Sequence, residues 1–110
     1  MAAVTRWNPE QGPVQMSTLR ALLQREGKAT AWWSDVPGAK SGERARHWPE
    51  TRWMVSGYLR VRLEGQTFDL GPGDRLDLPP DTPHTTEVVG LSTAIYLIGT
   101  SDSSLVSISA

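Results

Sequence analysis

The sequence predicts a mainly β, all-β-class domain in which about eight short strands close into a barrel, with one short helix before them. The first observation is that residues 57–84 alternate strand candidates with tight turns at 64–65, 71–73 and 79–83. Dense turn signals between short strands are typical of closed or nearly closed β-structures. The second is a single helical pattern near the N-terminus. The third is the length of 110 residues, which suits one domain with one core.

The chain is expected to consist of an arm, residues 1–15, and a single domain, residues 16–110. The arm is polar except for Trp7, which we expect to anchor it to the domain or to a partner subunit. The domain begins with a helix at about 18–26, where three leucines share one helical face. Gly27 provides its C-terminal stop.

The strands are predicted from alternating or continuous apolar residues. In the segment 58–63, for example, every second residue is a leucine or valine, so one face is apolar and the other polar or aromatic. Residues 39–49 have no such pattern and are expected to be irregular. The predicted strands are 28–34, 50–55, 58–63, 67–70, 75–78, 85–89, 92–98 and an edge strand within 101–110.

The composition excludes several classes of function. A net charge of −1, with acidic and basic residues spread along the chain, gives no argument for a nucleic acid or an anionic membrane as partner. Without cysteine there can be no disulfide, thiolate metal site or cysteine nucleophile. No apolar run approaches the roughly 20 residues that span a bilayer, and no signal-peptide pattern begins the chain. We therefore expect a cytoplasmic protein.

Two groups of residues have the spacing of a known pair of motifs. Gly73, Pro79 and His84 match the glycine, proline and histidine of the second motif, and Glu50 and Gly57 match the glutamate and glycine of the first. Through them the chain resembles the cupin superfamily of small double-stranded β-helix, or jelly-roll, barrels. The resemblance covers about the whole chain and implies a single-domain cupin. Small cupins often dimerise by packing sheets or exchanging arms, so it also implies a homodimer.

The first motif departs from the family at its two histidines, whose positions hold Arg44 and Arg46. Those histidines are metal ligands in most metal-dependent cupins, so the resemblance implies a degenerate metal site. At i and i+2 on a strand the two arginines share a face, and a guanidinium has no lone pair for a metal. If this face points inward, the arginines must be paired with Glu50 or with an anionic ligand.

A one-residue slip in register is the alternative. It would turn both arginines to solvent and bring Ala45 and His47 into the barrel. His47, Glu50 and His84 would then supply two imidazoles and one carboxylate, the donor set of a facial triad with open positions. Pro49 makes a local irregularity plausible, and the cost of burying two arginines favours the slip unless an anion is bound.

These two registers lead to two hypotheses of function. In the first, the barrel binds a small anionic or oxygen-rich molecule: Arg44, Arg46 and Trp48 bind the ligand, and the catalytic candidates Glu50 and His84 could exchange protons with it. In the second, His47, Glu50 and His84 hold one divalent transition metal of an oxygenase or isomerase. A scaffold domain with an empty barrel is a third reading. The sequence leaves the substrate and the reaction unassigned.

Overall fold

The computed structural model describes residues 2–101, which form two antiparallel sheets and one α-helix. The five-stranded sheet has the order β1-β6-β3-β8-β2, and the three-stranded sheet has the order β5-β4-β7. The strands are β1 Ala3–Thr5, β2 Ala29–Asp35, β3 Glu50–Ser56, β4 Tyr58–Leu63, β5 Gln66–Leu70, β6 Arg75–Leu78, β7 Thr85–Val89 and β8 Ala94–Thr100. The helices are a 3-10 turn, Pro9–Gln11, and α1, Met16–Arg25. The mainly β prediction is confirmed.

The predicted elements agree with the observed ones to within two residues at each end. The arm contains a strand that the sequence did not predict: Ala3–Thr5 pairs with β6 at the edge of the five-stranded sheet. A strand of three partly exposed residues is too short to show an alternating pattern. It can therefore be recognised only from its pairing with β6. The edge strand expected within 101–110 lies outside the described residues, apart from residue 101 itself.

Apolar side chains fill one part of the space between the sheets. They come from alternate positions of β3, β6 and β8 on one sheet and of β4, β5 and β7 on the other, as strand geometry requires. This cluster consists of Met54, Leu59, Val61, Leu63, Leu70, Leu76, Leu78, Val88, Ala94 and Tyr96. In this part, the interior of the barrel is therefore filled with apolar side chains. The polar side chains of the interior lie in the remaining part.

The helix α1 covers the outer face of the five-stranded sheet. Leu19 and Leu23 are fully buried against Trp53 and Leu97, which point away from the barrel interior. Trp7 packs on Trp53 edge to face, with ring centroids 6.3 Å apart. The arm is thus anchored to its own domain, and Trp7 gives no support to the exchange of arms in the predicted homodimer. Within residues 2–101, no helix is both long and apolar enough to cross a bilayer.

Arg75 joins the end of α1 to the five-stranded sheet. Its guanidinium donates to both carboxylate oxygens of Glu26, at 2.6 and 2.8 Å, and also to Asp77. It lies 5.0 Å from the centroid of the Trp53 ring. The hydrogen bonds from Arg75 lower the pKa of Glu26 from its usual value of 4.5 to about 2. The ionised Glu26 carboxylate therefore stabilises the folded chain.

We expect Glu26→Gln to reduce the acid sensitivity of the fold. Because the pKa of Glu26 is lower in the folded chain, its stabilisation is complete above about pH 4.5 and is lost as the pH falls toward 2. Melting temperatures measured between pH 5 and about pH 3 should fall more steeply for the wild type than for Glu26→Gln. Glu64→Gln removes a carboxylate that has no ion pair within residues 2–101 and should keep the wild-type slope. Equal slopes for wild type and Glu26→Gln would contradict this expectation.

Gly57 carries the chain from β3 of the five-stranded sheet to β4 of the three-stranded sheet at a point of close contact. Its φ of +77° lies in the left-handed region, which side chains rarely adopt. A Cβ atom at this position would clash with the carbonyl oxygen of Thr93. The motif glycine is therefore required by both its backbone conformation and the neighbouring strand connection.

Gly57→Ala should lower the free energy of unfolding by about 2–4 kcal/mol, since it adds overpacking to backbone strain. Gly65→Ala is the matched control, because Gly65 has a φ of +73° but no atom within 4 Å of the added Cβ. It should cost about 1 kcal/mol, from the backbone conformation alone. Urea unfolding measures both values. The contact with Thr93 would be irrelevant if the two variants were equally destabilised.

Candidate functional site

A cavity of about 300 Å³ opens beside the apolar cluster. One wall is formed by β2, β3 and β8, and the other by β7 and the segment 39–46. Its lining carries four cationic and two carboxylate side chains, an excess of two positive charges. These are Lys40, Arg44, Arg46 and Arg52, with Asp35 and Glu50.

The segment 39–44 runs antiparallel along the free edge of β7 and extends the three-stranded sheet. Isolated bridges pair Lys40 with Glu87 and Arg44 with His84. Arg44 is four residues after Lys40, whereas His84 is only three residues before Glu87. One extra residue is therefore accommodated in the segment, which is a β-bulge around 42–43.

The bulge decides which side chains face the cavity. Before it, Ser41 lies opposite Thr86, and their hydroxyl oxygens are 2.9 Å apart inside the barrel. An extra residue shifts the alternation by one, so after it the even-numbered Arg44 and Arg46 line the cavity. Both arginines therefore face the cavity, as expected for the register without a slip.

The slipped register, with His47 pointing inward, is not what the structure shows. The side chain of His47 is 91% exposed, and its Nδ1 lies 2.8 Å from Oδ1 of Asp81. Trp48 is half-buried and lines a second cavity of about 10 Å³ together with His84. The Arg46 guanidinium lies 5.9 Å from the Trp48 ring centroid. Trp48 thus packs behind the arginines rather than lining the larger cavity.

The first residues of β3 bring Glu50 and Arg52 to the same inward face. Glu50 is 5% exposed, and Arg52 Nε donates to its Oε2 at 2.8 Å. Arg52 Nη2 lies 3.5 Å from Nε2 of His84, and its guanidinium lies 5.6 Å from the ring centroid of Tyr96. Sequence analysis did not place Arg52 in the site. The signal that could have placed it in the site is its i+2 spacing from Glu50 on a strand.

His84 is held in one orientation by its neighbours. Its Nδ1 donates to the carbonyl oxygen of Thr82 at 3.0 Å, so Nδ1 carries the proton and Nε2 faces Arg52. Burial lowers the pKa of His84, and the positive charges of Arg52 and Arg46 lower it further. The imidazole is consequently neutral near pH 7.

The donors in this region do not fit a mononuclear transition metal. Within residues 2–101, no group of three or more histidine, cysteine, aspartate or glutamate side chains is arranged to hold a metal ion. His47 is on the surface, and the two remaining candidates, Glu50 and His84, both face the guanidinium of Arg52. Because the Arg52 guanidinium is a permanent cation between these two donors, it repels a metal cation.

A second polar group lies on the β2 side of the cavity. Tyr96 donates its hydroxyl to Oδ2 of Asp35 at 2.8 Å, and Trp33 Nε1 donates to Oδ1 at 3.0 Å. Burial raises the pKa of Tyr96, so its phenol remains a donor. Sequence reasoning did not single out Asp35 or Tyr96. Neither belongs to a motif, and their contact joins β2 to β8 across 61 residues of sequence.

A family model described as "Cupin domain" matches residues 31–98. This chain belongs to the cupin family. The match covers more than half of the 110 residues and includes every residue that lines the larger cavity. The cavity is therefore part of the cupin domain itself.

Solved structures with the same fold support this assignment. A cupin 2 domain-containing protein from Halorhodospira halophila has a TM-score of 0.69 and 19% identity, over 92% of this chain and 76% of that one. A cupin superfamily protein from Desulfitobacterium hafniense has a TM-score of 0.59 and 16% identity, over 91% and 76%. The Cnp3 cupin domain of Schizosaccharomyces pombe has a TM-score of 0.62 and 15% identity over 69% of this chain, which spans only 57% of that domain. A search of curated proteins gave no match.

We expect the His84 imidazole of this cupin to titrate below its ordinary range. Burial and the neighbouring arginines both disfavour the imidazolium, so NMR of the ring nitrogens should show a pKa below 6.5 and the proton on Nδ1. Arg52→Gln should raise the pKa of His84, because it removes a positive charge and leaves the Glu50 carboxylate. Lys40→Gln, which removes a lining cation that does not contact His84, should change it less. A pKa unaffected by Arg52→Gln would contradict the assigned contact.

Proposed function

We propose that this cupin binds a small anionic, oxygen-rich molecule in the larger cavity, without a resident metal. The observation that carries the proposal is the set of arginines along the cavity. Within residues 2–101, neither Arg44 nor Arg46 forms an ion pair, whereas Arg52 is paired with Glu50. Two unpaired guanidinium groups in a concave site favour a negatively charged ligand.

The three arginines have different roles in this proposal. Arg44 and Arg46 reach the cavity from its rim, where each can donate two parallel hydrogen bonds to a carboxylate or phosphate. Arg52 is more buried and is fixed and neutralised by Glu50, so it forms the inner wall of the site without adding net positive charge. That rigidity favours binding because little side-chain entropy is lost when the ligand arrives.

His84 and Glu50 contribute to this binding site by positioning Arg52. The neutral imidazole orients its Nε2 lone pair toward the Arg52 guanidinium, and the Glu50 carboxylate accepts from the same group. A proton-transfer role would require a ligand to reach Glu50, whose carboxylate also lines the cavity.

Calorimetric titration with inorganic phosphate and a panel of small carboxylates tests the proposal. We expect binding that weakens as salt is added, and a loss of about tenfold or more in affinity for Arg44→Gln and for Arg46→Gln. Arg60→Gln is the matched control, since Arg60 lies on the outer face of β4 and pairs with Asp69. It should retain wild-type affinity.

Two results would count against the proposal. The first is a wild-type protein that binds none of these anions, or binds them equally well without Arg44 and Arg46. The second is protein purified without chelator that retains one tight equivalent of iron, manganese, nickel or zinc and loses it on His84→Ala. That result would favour the metal-dependent oxygenase or isomerase instead.

A further inference from the structure

Asp35 and Arg52 lie at different levels of the cavity. Both β2 and β3 pair with β8, and the register places Asp35 opposite Ala94 and Arg52 opposite Ile98. Four residues of β8 span about 13 Å along the strand. The cavity therefore has the Asp35 carboxylate toward one end and Arg52, with its partner Glu50, toward the other. Arg44 belongs to the Arg52 end, because it pairs with His84, which contacts Arg52.

The Asp35 carboxylate is fixed but keeps free acceptor capacity. Trp33 and Tyr96 each donate one hydrogen bond, one to each carboxylate oxygen. A carboxylate accepts about four hydrogen bonds in all, so each oxygen can accept another. Within residues 2–101, Asp35 has no ion-pair partner among the lysines and arginines, although Lys40 lines the same cavity. A half-buried carboxylate of this kind favours a donor from the ligand.

The surface between these two ends is apolar on the side of β2 and β8, whereas the hydroxyls of Ser41 and Thr86 lie on the opposite wall and hydrogen-bond to each other. The apolar lining consists of Ala39, Ile98 and the rings of Trp33 and Tyr96. The cavity volume of about 300 Å³ corresponds to roughly ten water molecules in liquid water. A ligand of about ten or more non-hydrogen atoms with a planar or apolar middle fits within this volume.

We propose that Asp35 is a second recognition point, which accepts a hydrogen bond from a hydroxyl or ammonium group at the far end of the anionic ligand. The ligand class is then a short, two-ended molecule: an anionic group bound by Arg44 and Arg46, an apolar middle, and a hydrogen-bond donor on Asp35. This inference rests on the proposed function and specifies the ligand of the same site. Tyr96 is a positioning residue, since it holds the carboxylate through its hydroxyl.

Three matched probes test the inference: phenylpropionate, its para-hydroxyl derivative and its para-aminomethyl derivative. We expect the wild-type protein to bind at least one substituted probe about tenfold more tightly than phenylpropionate, the gain of one hydrogen bond to a charged group. Asp35→Asn and Asp35→Ala should abolish that advantage and leave the affinity for phenylpropionate within about twofold. Tyr96→Phe should reduce this affinity advantage without abolishing it. The substituted probe that binds more tightly than phenylpropionate identifies the donor group as a hydroxyl or an ammonium.

The outcomes separate this inference from the proposed function. Equal affinities for the three probes, or an advantage that persists in both Asp35 variants, would overturn it. The anion site would still stand if Arg44→Gln weakened all three probes. If none of the three probes binds, the inference is overturned as well. The proposed function is overturned too only if phosphate and simple carboxylates also fail to bind.

Discussion

The buried ion pair between Glu50 and Arg52 constrains the whole polar half of the barrel. Removing two charges from water is costly, and the attraction between them offsets that cost only when geometry and hydrogen bonds are good. Here Arg52 also contacts His84 and the face of Tyr96, so its charge is surrounded by partners. Loss of one member of such a pair would cost about 3–5 kcal/mol, because the other would stay buried and unpaired.

The same pair determines which chemistry the site favours. Glu50 and His84 match the glutamate and the histidine of the two motifs, yet both are directed at a guanidinium. Arg52 thereby occupies the electrostatic role of a metal, as a fixed cation between a carboxylate and an imidazole. Because Arg52 is already neutralised by Glu50, the positive charge available to a ligand comes from Arg44 and Arg46. This division between a fixed and an available cation underlies the proposed anion site.

The bulge around 42–43 shows why the site could be read only in part from the sequence. Alternation within a strand indicates which residues share a face. A single extra residue turns the residues that follow it to the opposite face. Residues 39–49 carry no apolar pattern to reveal the change. The pairing of this segment with β7 therefore decided whether Arg44 and Arg46 or His47 would face the cavity. The sequence alone could not show this pairing, because β7 is distant in sequence.

The sequence by itself determined the mainly β class and the positions of α1 and of β2 to β8, because turn residues and apolar alternation act locally. The spacing of its motif residues indicated the cupin family. The motif residues Glu50 and His84 were also found from their spacing. Only the tertiary structure decided that Arg52 lies between them, that Trp7 anchors the arm to its own domain, and that Asp35 meets Tyr96. Each of these contacts joins residues on different strands or segments, and their energies depend on burial and register, which exist only once the sheets have packed.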